Sequence, residues 1–151
     1  MKAVIVGVGN ILMKDDGVGV HVVRALGERD LPANVTLLDA GTDPDAAYEV
    51  WDANFVIVID AAYGGEDPGT IYRLPDRIAC EAAGVTQTCH DMGLLQMLRD
   101  SRRSNAPIEI LVIGVEPRTI DWGLELSEEV AALVPRVVEV VLEELRGYQC
   151  S

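Results

Sequence analysis

The feature that most constrains the fold is a recurrence of short, uninterrupted apolar runs, rich in β-branched residues and separated by stretches of helical periodicity. Residues 3–8, 35–39, 55–60 and 108–115 are such runs. Continuous rather than alternating apolar character is what a strand needs when both of its faces are covered. Between the runs, residues 17–29 place Val18, Val22 and Leu26 on one helical face, and residues 45–51, 90–102 (with Leu94, Leu95 and Leu98) and 127–146 follow the same logic. Residues 70–74, after the turn signal Asp67-Pro68-Gly69, read as an extra strand. Too little chain precedes it for a parallel crossover, so it is expected to run antiparallel. The predicted architecture is a single α/β domain over residues 1–151, a twisted, mostly parallel five-stranded sheet with helices on both faces. Ligands in such folds bind beyond the carboxyl ends of the strands.

Composition narrows the partners. The 151 residues carry a formal charge of −13, and the only lysines are Lys2 and Lys14. Such a chain repels phosphate backbones and anionic headgroups, so neither nucleic acid nor a membrane surface is an expected partner. The first apolar run meets Gly7, Gly9, Asn10 and two aspartates too soon for a signal peptide or a spanning helix. Cys80, Cys89 and Cys150 are odd in number, widely spaced and without a CxxC pair, which suits a reducing, cytoplasmic setting.

The stretch "GVGNILMKDDG" after the first strand starts like a dinucleotide loop, but Leu12 stands at the third glycine position and Asp15 and Asp16 oppose a pyrophosphate. Asp15 reads as the cap of the helix that follows. Asp16, in the first turn beside Gly17, is either a partner for the helix dipole or a carboxylate held ionised for chemistry. Asp60 ends the run "NFVIVID" before a glycine-rich turn, a frequent site position at a strand tip. His90 stands at the mouth of the third predicted helix. Together Asp16, Asp60 and His90 would form an O,O,N set on one rim, suited to a divalent ion such as zinc or nickel with positions left open. His21, about 140° around the helix from Asp16, is read as structural. Cys89 reads as a small buried hydrophobe. Leu12 and Met13 are expected as loop anchors, and Trp51 and Trp122 as packing residues.

Several ordered motifs then converge. "GVGNILMKDDGVGV", "LLDAGT", "VIVIDAA" with "PGTIYRL", "HDMGL" and "VIGVEPRTIDWGLELSEEV" resemble, in order and over nearly the whole chain, the hydrogenase maturation proteases. That family removes a carboxy-terminal extension from the large-subunit precursor of nickel-iron hydrogenases and is usually filed with aspartic-type peptidases. The resemblance implies that Asp16, Asp60 and His90 contact the metal and that Asp16 and Asp60 are the catalytic carboxylates. It implies too that nickel arrives with the precursor, so the trio need not own a metal, and that zinc or cadmium can substitute in the isolated protein. In "DAGT", Ala40 stands where members often have the first of two glycines.

Two other readings compete. Paired acids after the first strand and an aspartate ending the third also resemble the phosphoacceptor pocket of response-regulator receivers, but "IEILVIGVEPR" lacks the lysine that pocket needs. A metallo-amidase acting on a small molecule is the other.

Overall fold

The computed structural model describes residues 1–50, 52–75, 84–87 and 108–149. Chain order is β1 (Ala3–Val8), a 3₁₀ turn (Lys14–Gly17), α1 (Val18–Leu26), β2 (Val35–Gly41), a second 3₁₀ segment (Pro44–Val50), β3 (Phe55–Tyr63), β4 (Ile71–Leu74), β5 (Thr86–Gln87), β6 (Glu109–Val115) and α2 (Glu128–Gln149). The main sheet has the order β2-β1-β3-β6-β4. β1 lies parallel to both β2 and β3, and β3 parallel to β6. β4 runs antiparallel to β6, and so opposite to β3, as the short connection from β3 requires. The two-residue β5 adds an antiparallel pair to the end of β3, Ala62 against Gln87 and Tyr63 against Thr86.

Two apolar clusters sit on opposite faces, because successive residues of a strand point to opposite sides. Ile5, Ile57, Ile59 and Ile113 pack under α1 and α2 with Val22, Leu26, Val137 and Val141. Val4, Val6, Val56, Val58 and Val112 form the other face with Val50 and Val85. In β3 every residue from Phe55 to Ala62 is buried, as its unbroken apolar run predicts.

Three expectations need correction. β2 is not covered on both faces: it is an edge strand, with Thr36 and Asp39 exposed. The helix expected over 45–51 is not α in its described part, with Trp51 outside the described residues; Pro44–Val50 is 3₁₀, since seven residues opened by proline are too few to repay helix nucleation. α1 stops at Leu26 rather than at residue 29, where the amides of Glu28 and Arg29 bond three residues back, to Ala25 and Leu26. The predicted helix over 90–102 lies outside the described residues.

The first turn of α1 rests backbone to backbone on the sheet, which brings the preceding 3₁₀ turn onto the carboxyl edge. A Cβ at Gly19 would overlap the carbonyl oxygen of Ile59 and stand 2.7 Å from that of Val8. Neither oxygen belongs to a side chain that can swing away. Gly19→Ala is therefore expected to cost about 3 kcal/mol through forced backbone shifts, read as a lowered urea midpoint. An unchanged midpoint would mean that helix and sheet are not locked at this point.

Candidate active site

The loop after β1 is shaped by its glycines. Gly9 has φ +121° and donates its N–H to the Gly41 carbonyl at 2.9 Å. A Cβ there would overlap the Asp16 carbonyl oxygen and come within 3.5 Å of Asp60 Oδ1. Glycine is thus required where the loop passes between the two candidate acids. Gly41 takes φ +53°, so the residue that needs the left-handed region is the second of "AG", and Ala40 is accommodated, buried, in ordinary backbone.

Asp16 sits within the 3₁₀ turn, and its Oδ2 accepts the Asn10 N–H at 2.9 Å. Asn10 in turn accepts from Leu12 N–H at Oδ1 and from Met13 N–H at its carbonyl. One asparagine therefore orients the carboxylate and closes the loop. Asp60 is fully buried, and its Oδ1 accepts the Ala61 N–H at 2.8 Å. The structure brings Asp16 and Asp60 to the same carboxyl edge, on either side of Gly9. His90, the third predicted member, lies outside the described residues, and among the described residues no three His, Cys, Asp or Glu side chains gather as a metal ion would require.

Asp15 is structural, as read, but it does not cap the helix that follows. Neither the 3₁₀ turn nor α1 has a side-chain cap. The Asp15 carboxylate, with no exposure to solvent, instead accepts four bonds from a distant segment: Arg118 N–H and Thr119 N–H at Oδ2, Ser127 N–H at Oδ1 and the Ser127 hydroxyl at Oδ2, all at 2.7 to 2.9 Å. It therefore fastens both ends of the loop before α2.

Glu116, just beyond the end of β6, was not among the predicted site residues. It is 4% exposed, and its Oε1 accepts from Gly64 N–H, Glu66 N–H and the Tyr72 hydroxyl. Its carboxylate holds the turn that follows β3. Burial, and then the hydrogen bond to Glu116, push the Tyr72 phenol up to about 12. Burial, followed by the charges of Asp16, Glu116 and Asp15, also raises Tyr63, which places that hydroxyl in the field of the acidic rim as a neutral group. The signal for Glu116 was present in "GVEPR": an acid just past a strand tip, the reasoning that selected Asp60.

His21 keeps the structural reading. Among the described residues its Nε2 is buried without a hydrogen-bond partner, and burial first, Arg24 second, lower its pKa. The unfolded chain thus takes up this proton more readily than the folded one, and stability is lost as pH falls from about 6.5 towards the lower folded value. His21→Gln is expected to decline less between pH 7 and pH 5 than the parent, measured as urea midpoints. Parallel curves would remove His21 from the acid sensitivity.

Comparison with known proteins finds relatives over nearly the whole chain. A family model described as hydrogenase maturation protease matches residues 20–144. The hydrogenase 2 maturation protease of Escherichia coli is 31% identical over 150 residues, covering 97% of this chain and 92% of that protein. The hydrogenase expression/formation protein HoxM of Azotobacter vinelandii is 36% identical over 146 residues, covering 93% of this chain and 70% of that one. Among solved structures, the hydrogenase maturating endopeptidase HybD from Escherichia coli superposes with a TM-score of 0.85 at 31% identity, covering 98% of this chain and 94% of that one. Likeness of this extent, in sequence and in fold, means that the chain belongs to the hydrogenase maturation protease family, whose members are endopeptidases.

Proposed function

We propose that this chain removes the carboxy-terminal extension of a nickel-iron hydrogenase large-subunit precursor after nickel insertion, and that it recognises the nickel carried by that substrate. The observation that carries the reading is that Asp16, in the 3₁₀ turn after β1, and Asp60, towards the end of β3, both border Gly9 at one carboxyl edge in a chain of this family. Two carboxylates and the imidazole of His90 are an oxygen-and-nitrogen donor set that suits a borderline divalent ion. Zinc or cadmium takes nickel's place in the isolated protein. A divalent ion at that point polarises a carbonyl and makes bound water more acidic. Asp16 and Asp60 would hold or orient such an ion, and either carboxylate, when free of metal, can act as the base towards the attacking water. The protein acts in the cytoplasm, and its partner is the precursor itself.

The test is direct incubation with a nickel-loaded precursor, followed by mass spectrometry of the large subunit. The expected outcome is a single cut near its carboxy terminus. An intact mass after prolonged incubation overturns the reading. Acetyl-phosphate labelling of Asp60 would instead mark a receiver-like acceptor, and turnover of small amides alone a small-molecule amidase.

A further inference from the structure

Five large apolar side chains are exposed among the described residues, and all but Met1 stand around the carboxyl edge of the sheet: Leu12 at 50%, Tyr63 at 47%, Trp122 at 75% and Leu124 at 63%. Leu12 was expected to anchor its loop and Trp122 to pack; neither does. Their exposure is not looseness of the backbone that carries them. Gly123 inserts its peptide into the loop after β1, donating its N–H to the Leu12 carbonyl at 2.8 Å and accepting the Lys14 N–H at 2.9 Å, in a parallel bridge with Met13. Parallel pairing at Met13 and Gly123 sets Leu12 beside Trp122. On both sides of this bridge, Asp15 holds residues 118, 119 and 127. The surface is therefore prebuilt, and it is tied to the candidate acid, since Leu12 N–H bonds to Asn10 and Asn10 N–H bonds to Asp16.

We propose that Leu12, Trp122 and Leu124 form the docking surface for the polypeptide of the precursor next to the bond that is cut, with Trp122 as its anchor. The inference rests on the peptidase reading above. Large apolar groups held rigidly in water mark a surface that a partner covers, and tryptophan is the side chain most enriched where such contacts carry binding energy. Charge states what the partner looks like. Asp121 and Glu125 flank the apolar residues in the sequence, Asp16 is linked to Leu12 through Asn10, and the Arg118 guanidinium is engaged by Glu129. Lys14 is the remaining cation of these two loops. The occupant is accordingly a precursor segment that combines an apolar side chain with net positive charge.

Steady-state cleavage of nickel-loaded precursor tests this with Trp122→Ala, Leu12→Ala and the double variant Asp121→Asn/Glu125→Gln, circular dichroism confirming the fold of each. Trp122→Ala is expected to raise KM by about 30-fold, the effect of losing a strong contact residue, with kcat near the parent's, and Trp122→Phe to recover most of it. The charge variant raises KM by a smaller factor and flattens its dependence on salt. Leu12→Ala, on the same surface though less exposed than Trp122, repeats the KM effect and guards against a folding defect at Trp122. If the parent cleaves but KM is unchanged in the variants, or kcat falls instead, the docking proposal is overturned and the peptidase reading stands. If the parent cleaves no precursor, the peptidase reading fails and the docking proposal falls with it.

Discussion

Asp16→Asn and Asp60→Asn are each expected to abolish precursor processing, a loss on the order of a thousandfold or more if the carboxylate serves as base, while the thermal midpoint stays close to the parent's. The reason lies in what each carboxylate does for the free protein. Asp16 accepts a backbone N–H from Asn10 and Asp60 one from Ala61, and the oxygen of an asparagine can accept the same bonds. What disappears is the negative charge that binds a cation or accepts a proton. Cleavage on gels, run beside circular dichroism melts, separates the two effects. Full activity in either variant removes that residue from the chemistry, and a collapsed spectrum assigns it to the fold.

Asp15→Ala is expected to do the reverse to its neighbour's effect on stability. Four donors lose their acceptor on a carboxylate with no exposure to solvent, and removing a buried, hydrogen-bonded charge of this kind costs about 3–5 kcal/mol. The loop of residues 118–127 would lose both of its fastenings, so processing should fall as well. A urea titration of the variant measures the loss. A midpoint within error of the parent's would show that the loop is held by its contacts with Leu12 and Lys14 alone. Adjacent aspartates thus part company: Asp15 fastens the fold, and Asp16 is the one proposed for chemistry.

Much of this was readable from local pattern. The strands at 3–8, 55–60 and 108–115 and the antiparallel strand at 70–74 follow from β-branched runs and turn residues, which report burial without reference to the rest of the chain. The burial of Asp60 in the same strand was less legible: the apolar run was read as ending at Asp60, whereas β3 continues past it to Tyr63. Contacts between distant segments were not legible. Asp15 looked like a helix cap because a cap is the nearest available partner, whereas its true donors lie more than a hundred residues away. Trp122 looked like core because large aromatic residues usually are, and only the bridge between Met13 and Gly123 reveals that its loop faces outward. β2 read as fully covered because an edge position depends on strand order, which its own residues do not encode.

The account turns on an acidic rim that acts on a metal delivered by its substrate, and one comparison tests this most directly. The enzyme is treated with chelator, desalted, and mixed in parallel with nickel-loaded and nickel-free precursor, each followed by mass spectrometry. The account predicts a shortened product from the nickel-loaded precursor and none from the nickel-free one, because vacant positions on an O,O,N rim complete the coordination of an ion that the enzyme does not itself retain. Cleavage of both precursors at similar rates, or loss of all cleavage after chelation as a resident-zinc peptidase would show, would contradict it.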